Sequence, residues 1–183
     1  ILADDDSSDQ TNLLMNRFKE QSNVQVKVIR LNHSGNHINH KKFAIERCVE
    51  IATGEIVALT DADCRVSKDW LFEINQVFKD NNTKFAAGPV KIELTGNRKL
   101  FNVLEEFEWC VLQTITYASI IKQKQVLCNA ANMVFSKQAF KEVNGFSGDK
   151  ASSGDDVFLM LKIKQKNGCE SIKWIHQKSP VIT

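Results

Sequence analysis

Segments with strand character alternate along this chain with segments of helical periodicity. The predicted strands are 1–3, 24–31, 55–60, 85–94, 133–135 and 172–175. The predicted helices are 11–20, 41–52, one capped by Ser67, 100–122, 136–143 and one beginning at Asp155. Strands separated by helices favour parallel pairing, because parallel neighbours need a crossover of helical length. The sequence therefore predicts an α/β protein with a mostly parallel sheet flanked by helices.

The spacing of apolar residues also predicts which side of each helix faces the core. On the first helix these residues are Leu14, Met15 and Phe18. On the long helix at 100–122 a longer apolar series recurs every three or four residues: Val103, Leu104, Phe107, Val111, Ile115 and Ala118. Both series predict amphipathic helices packed on a sheet.

Length and composition set the class of protein. The chain has 183 residues, 43% of them hydrophobic and 25% charged, which is typical of one globular domain spanning 1–183. A net charge of +2 with dispersed basic residues gives no general attraction to nucleic acid. The chain opens on a strand too short to stand alone, so we expect the first strand of the domain to be missing. The odd number of cysteines, 5, favours reduced buried thiols in the cytoplasm over a disulfide scaffold.

Acidic residues follow two of the predicted strands. Asp4, Asp5 and Asp6 follow the first strand, and Asp61 and Asp63 follow the strand at 55–60. Because ligands of such sheets bind beyond the carboxyl ends of the strands, both groups are expected on one rim. Asp61 and Asp63 suit a hard cation, and the first group suits a ligand with several donors, such as a nucleoside. The alternatives are solvated turns and helix caps, which Asp also favours.

Two further features carry possible chemistry. Asp155 and Asp156 begin a helix, where they can complement the helix dipole or hold a general base near a substrate hydroxyl. Lys41, with its neighbour Lys42, can contact phosphate or remain solvated. The histidines at 33, 37 and 40 have a spacing compatible with zinc, but no cysteine lies nearby.

These pieces, in this order, resemble the family 2 glycosyltransferases, which are inverting enzymes of the GT-A fold. The matching segments are Asp4–Thr11 (D-D-x-S-x-D-x-T), 40–45 with Ala52–Ile56, the D-x-D at Asp61–Asp63, Trp70-Leu71, Asn129–Met133 with Phe140 and Gly145-Phe146, and Asp155-Asp156. Three positions depart from the family pattern: His40 and Ala130 stand where glycines are common, and Asp155 replaces a glutamate.

The resemblance implies an enzyme that transfers a sugar from a nucleotide-diphosphate sugar, expected to be a UDP-sugar, with inversion. It implies that Asp63, supported by Asp61, holds Mn²⁺ or Mg²⁺. Asp4 and Asp5 are then the base and ribose contacts, and Asp156, or else Asp155, is the catalytic base. The acceptor implied is a carbohydrate or a lipid-linked molecule, in polysaccharide biosynthesis.

Other classes remain open at this point. A GT-A-like nucleotidyltransferase also binds a nucleotide and a metal, and a receiver-like signalling module places acidic residues around Mg²⁺. A D-x-D-x-[TV] phosphatase is disfavoured because Arg65 occupies the Thr/Val position. No apolar run approaches the roughly 20 residues of a membrane span. We expect a cytoplasmic protein, with the inner face of the membrane as a second location reached through segments outside this sequence.

Overall fold

The computed structural model describes residues 1–31, 40–93, 100–149, 153–178 and 180–183. The chain divides into two compact units, Ile1–Gly54 and Glu55–Thr183. His33, His37 and Leu94 lie outside the described residues, so the zinc spacing and the end of the strand predicted at 85–94 stay predictions. The single domain over 1–183 also stays a prediction.

The first unit pairs two short strands in parallel and adds two helices. Its elements are β1 (Leu2–Asp4), α1 (Thr11–Gln21), β2 (Val28–Arg30) and α2 (His40–Ile51). Leu2 is paired with Val28 and Asp4 with Arg30, so the acidic turn begins at the carboxyl end of a paired strand.

The inner face predicted for α1 is wrong. Leu14 and Phe18 are exposed, and α1 contains no buried residue. The reason is a polar contact with the strand: the Asn12 side chain donates a hydrogen bond to Asp4, which turns the asparagine side of α1 toward β1. In α2, by contrast, Ile45 and Val49 are buried as an apolar face.

The second unit contains the larger sheet. Its elements are β3 (Ile56–Leu59), α3 (Trp70–Phe78), β4 (Phe85–Ala87), β5 (Val90–Lys91), α4 (Leu100–Ile121), β6 (Met133–Ser136), α5 (Lys137–Glu142), α6 (Asp155–Asn167), β7 (Ile172–Trp174) and β8 (Val181–Ile182). Short 3-10 turns at Ala130–Asn132 and Cys169–Ser171 precede β6 and β7.

Strand order and direction bring several strand ends together along one edge of the larger sheet in this unit. The four-stranded sheet has the order β3-β6-β4-β7, with β4 and β7 parallel and β6 antiparallel to both β3 and β4. The carboxyl ends of β3, β4 and β7 therefore meet the amino end of β6 along one edge, which we call the rim. The mixed α/β class is confirmed, while the antiparallel direction of β6 could not be read from the sequence pattern.

The core of the second unit lies on both faces of the sheet. Phe85 and Phe135 are fully buried, and Phe135 stacks on Phe140 of α5 with ring centroids 5.1 Å apart. Trp70 and Ile74 of α3 pack in a cluster with Ala86, Val134 and Ile175. The sheet thus holds α3 firmly against the strands that end at the rim.

The inner face predicted for the long helix is also wrong. Val103, Leu104, Phe107, Val111, Ile115 and Ala118 are exposed on α4. The opposite side of the helix makes polar contacts with β5: Trp109 Nε1 donates to the Val90 carbonyl oxygen at 2.7 Å, and the Val90 N–H donates to Gln113 Oε1 at 3.1 Å. These bonds satisfy both backbone groups of Val90, and they fix which side of α4 faces the sheet.

Candidate active site

The acidic turn of the first unit is organised by Asp4. Its carboxylate is 1% exposed and accepts hydrogen bonds from the Ser7 N–H at 3.0 Å and from Asn12 Nδ2 at 3.1 Å. Hydrogen bonding from Ser7, opposed in part by burial, lowers the pKa of Asp4. Asp4 is therefore ionised at neutral pH and its two oxygens hold the turn in shape.

The next two aspartates point to different partners. Asp5 Oδ2 lies 3.5 Å from Nδ1 of His40, the first residue of α2. Asp6 has a left-handed backbone with φ of 58° and pairs with Arg30 at 2.8 Å. The turn and the start of α2 thus meet at Asp5. The two neighbouring lysines differ in exposure: Lys41 is exposed, whereas Lys42 is buried.

In the second unit, the D-x-D segment forms a turn directly after β3. The Cys64 N–H donates to the Asp61 carbonyl oxygen at 3.1 Å, and the Cys64 thiol lies 3.6 Å from Asp63 Oδ1. Arg65 then forms an antiparallel bridge with Ile182 and an ion pair with Glu93. The Asp63 side chain is left exposed at the rim.

The two carboxylates suit a divalent cation that a substrate also coordinates. Within the described ranges, no three His, Cys, Asp or Glu side chains converge into a complete metal site. Mg²⁺ and similar cations are commonly bound by one or two carboxylates together with substrate phosphates and water. Asp61 and Asp63 fit that donor set.

Asp156 is brought to the same rim by hydrogen bonding. Leu59 of β3 pairs with Met133 of β6, which places the 3-10 turn Ala130–Asn132 beside the end of β3. The Ala130 N–H donates to Asp156 Oδ2 at 3.0 Å. The D-x-D turn and Asp156 are thus joined through one short segment of chain.

The environment of Asp156 changes its acidity. The half-buried carboxylate also accepts a hydrogen bond from the Val157 N–H at 2.8 Å. Burial raises the pKa of Asp156, and the neighbouring charge of Asp155 adds to that increase, while the backbone hydrogen bonds oppose it. A carboxylate with a raised pKa at a rim is a candidate general base.

Asp155, the other member of the pair, is more deeply placed. It is buried at the first residue of α6, directly after Gly154, whose φ is 81°. Asp155 Oδ2 has no hydrogen-bond partner among the described residues. Nearby, burial and the two carboxylates raise the pKa of the Cys128 thiol well above its ordinary value, so Cys128 remains a neutral thiol.

Asn132 is a residue whose role the sequence did not reveal. It is fully buried, its Oδ1 accepts from Trp70 Nε1 at 3.0 Å, and its Nδ2 donates to the Pro89 carbonyl oxygen at 3.0 Å and to Gln177 Oε1 at 2.7 Å. Asn132 therefore ties α3 and the ends of β4 and β7 to the segment that holds Asp156. Its place within the matched segment Asn129–Met133 was the available signal.

Solved structures with the same fold include two proteins that have been solved in complex with nucleotide sugars. Glucosyl-3-phosphoglycerate synthase from Mycobacterium tuberculosis, in complex with phosphoglyceric acid, is 14% identical with a TM-score of 0.60, covering 98% of this chain and 61% of that chain. S. aureus TarS 1-349 in complex with UDP-GlcNAc is 16% identical with a TM-score of 0.65, covering 99% of this chain and 48% of that one. The synthase has also been solved with Mn²⁺ and UDP-Glc. The GT-A fold is thereby confirmed.

The family is established by sequence. The model of "Glycosyl transferase family 2" matches residues 1–143, and the chain belongs to this family. No curated protein sequence matches the chain. The chain spans less than two thirds of the length of these solved relatives, 61% of one and 48% of the other. Among the described residues no helix has the length and apolarity needed to cross a bilayer.

Proposed function

We propose that this chain forms the donor-binding and catalytic part of an inverting, metal-dependent glycosyltransferase that uses a UDP-sugar. The observation that supports this most is the shared rim of the second unit, where the D-x-D turn and the raised-pKa carboxyl of Asp156 are joined by the Ala130–Asn132 turn. Family membership favours this function over the nucleotidyltransferase and the receiver-like module.

On the donor side, Asp63 and Asp61 would hold Mn²⁺ or Mg²⁺ together with the diphosphate oxygens. When bound, such an ion neutralises the charge that develops on the leaving diphosphate. Asp5 and the turn that Asp4 maintains would contact the base and ribose, and Lys41, exposed at the start of α2, would contact phosphate. The solved relatives with UDP-GlcNAc, or with Mn²⁺ and UDP-Glc, support a donor of this class.

On the acceptor side, Asp156 would take the proton of the attacking hydroxyl. Its hydrogen bonds from Ala130 and Val157 fix both carboxylate oxygens, so the side chain needs little reorganisation before proton transfer. Attack from the side opposite the leaving diphosphate then inverts the anomeric centre. A carbohydrate or lipid-linked acceptor, and a cytoplasmic location with or without the inner membrane face, belong to this proposal.

Calorimetry on the full-length protein tests the donor site. We expect UDP to bind more tightly with Mn²⁺ than without it, because two carboxylates alone leave a divalent cation short of oxygen ligands. Asp63→Ala should remove that difference. Asp80→Ala is the matched control. Asp80 follows the C-terminal end of α3, whereas the D-x-D turn precedes α3, and the Asp80 side chain pairs with Lys173. Equal UDP affinity with and without Mn²⁺ in the unaltered protein would refute the metal-dependent donor site.

A further inference from the structure

The apolar series predicted to face the core from α4 is instead exposed, and it forms one continuous face of the helix. Its side chains are 41–76% exposed and recur every three or four residues: Leu100, Val103, Leu104, Phe107, Val111 and Ile115. We call this face the α4 stripe. Because α4 has 22 residues, the helix that carries the stripe is about 33 Å long. Soluble proteins rarely expose an apolar patch of this kind unless it binds a partner.

The opposite side of α4 is held against the sheet. Thr116 and Ile120 are buried there, and Trp109 and Gln113 form the hydrogen bonds with Val90 described above. Turning the helix to bury the stripe would break both hydrogen bonds and expose the buried side. The stripe can therefore be covered only by a further element or molecule that docks on α4.

The charged residues of this region are separated by sign along the helix. Glu105, Glu106 and Glu108 lie in the first half of α4, and Lys122 and Lys124 follow its last residue. Within the described ranges, none of these five side chains forms an ion pair. The three carboxylates lie beyond the first turn, where the attraction of the helix dipole has fallen off, so the dipole does not account for them.

This distribution of charge is complementary to itself when two copies of α4 run antiparallel. The acidic half of each helix then lies beside the lysines of the other, and the point midway between the two groups is near Thr114. Thr114 and Ala118 are small and exposed, so the two helices can approach closely there. The Thr114 hydroxyl donates to the Cys110 carbonyl oxygen at 2.8 Å, so burying it leaves no donor unsatisfied. Arg98 and Lys99 precede the helix outside the described residues, and the pairing does not depend on them.

Other occupants suit the stripe less well. An anionic membrane surface is disfavoured because the three carboxylates of α4 outnumber the two lysines beyond its end. A second copy in parallel is disfavoured because the carboxylates of the two helices would lie side by side. An antiparallel pair related by a two-fold axis uses the same patch on both copies and closes into a dimer.

We propose that the α4 stripe is the interface of a homodimer in which two α4 helices pack antiparallel across a two-fold axis near Thr114. Phe107 and Val111 of each copy are buried against the other copy. The carboxylates in the first half of each helix lie beside the two lysines of the other. This inference concerns assembly and is independent of the proposed sugar transfer.

Sedimentation velocity on the full-length protein over a range of concentrations tests the dimer. We expect a monomer–dimer equilibrium, and Phe107→Glu should raise the dimer Kd at least about 100-fold, because each copy would bury an unpaired carboxylate. Phe72→Glu is the matched control, since Phe72 is 64% exposed, against 68% for Phe107, but lies on α3. A monomer at every concentration, or equal effects of the two substitutions in variants that melt at the same temperature, would overturn the proposal.

Charge reversal tests the antiparallel direction. Glu105→Lys combined with Glu108→Lys should raise the dimer Kd about tenfold, because the new lysines face those of the other copy. Adding Lys122→Glu and Lys124→Glu to the same chain should restore the original Kd, since every reversed charge then faces a reversed partner. A dimer that the second pair of substitutions does not restore would overturn the antiparallel pairing.

Disulfide crosslinking locates the axis. Under mild oxidation with copper phenanthroline, Thr114→Cys in a Cys110→Ser background should link two copies, because a residue near a two-fold axis meets its own counterpart. Leu100→Cys in the same background should not, since the two positions 100 would lie about 40 Å apart. Crosslinking at both positions would indicate parallel helices and overturn the proposal. A monomer that binds phosphatidylcholine–phosphatidylglycerol vesicles through Phe107 would instead identify a membrane as the occupant.

Discussion

In the proposed mechanism Asp156 accepts a proton from the acceptor and Asp63 holds the metal. Substitutions can distinguish these two roles, because one affects turnover and the other affects donor binding. Asp156→Asn keeps the size of the side chain but cannot accept a proton, so turnover should fall by roughly 10²–10⁴-fold. UDP–Mn²⁺ affinity should change little, because the hydrogen bonds of Asp156 run to the chain segment at Ala130 and Val157 rather than to the D-x-D turn. Initial rates and calorimetry on one preparation measure both. Loss of UDP–Mn²⁺ binding in Asp156→Asn, with loss of turnover alone in Asp155→Asn, would reverse our assignment within the pair.

The same pair makes a pH prediction. The proposed base works when ionised, so kcat/KM should rise as pH passes upward through the pKa of Asp156, which lies above its ordinary value. The charge of Asp155 contributes to that increase, so removing it in Asp155→Asn should let Asp156 ionise at lower pH. The acidic limb of the kcat/KM profile should then move toward lower pH.

A profile of kcat/KM against pH for both proteins measures that displacement. Asp80→Asn provides the control, because it also removes one aspartate charge, from an exposed side chain that pairs with Lys173. An acidic limb that stays in place in Asp155→Asn, or moves upward, would show that Asp155 does not act on the base through its charge.

At the scale of elements, the ends of β4, β6 and β7 are locked together by Asn132 and depend on Gly88. A Cβ atom at position 88 would lie 2.9 Å from Gln177 Oε1 and closer still to the Asn132 amide. Gly88→Ala must therefore displace the amide that links Trp70, Pro89 and Gln177, and we expect a loss of about 1–3 kcal/mol in the free energy of unfolding.

A double-mutant cycle with urea unfolding tests that cause. Asn132→Ala removes the group that the new methyl would strike, so Gly88→Ala should cost clearly less in that background than in the unaltered protein. Additive losses would mean that Gly88→Ala acts through something other than Asn132.

How far the sequence predicted these elements depended on what each helix packs against. The strand-like segments of the sequence identified β3, β4, β6 and β7, and Phe85 and Phe135 in two of them are fully buried. The inner face of α4 was mispredicted because Trp109 and Gln113 form hydrogen bonds with Val90. The spacing of apolar residues cannot predict such polar contacts. The break of the strand predicted at 85–94 comes from Gly88-Pro89, where Pro89 cannot donate to a sheet.

For the site, residue type and position after a strand predicted which segments carry the acidic groups. They did not predict which aspartates hold the local fold and which remain available to a ligand. Both Asp4 and Asp5 were predicted as ligand contacts, yet the oxygens of Asp4 hold the turn through Ser7 and Asn12. The hydrogen bond from Ala130 to Asp156 joins residues far apart in the chain. Only the three-dimensional pairing of β3 with β6 brings that bond into the site.

Across the whole molecule, the two units differ in how their backbones are protected. The strands β4 and β6 of the second unit carry residues that are fully buried, whereas α1 of the first unit has none. Amide exchange follows local opening, so α1 should exchange much faster than Met133–Phe135 in the free protein. Hydrogen–deuterium exchange read by mass spectrometry measures both segments in one experiment.

The same exchange experiment with UDP and Mn²⁺ tests whether the first unit takes part in donor binding. The proposal assigns base and ribose to the Asp4–Asp5 turn and the metal to Asp63, so a bound nucleotide should slow exchange in the turn and in the first residues of α1 as well as near the D-x-D turn. Asp63→Ala should remove the protection that Mn²⁺ adds in each segment, because the proposed nucleotide binding depends on the metal. Protection confined to the second unit would mean that the acidic turn after β1 does not hold the nucleotide, and that its aspartates serve the local fold alone.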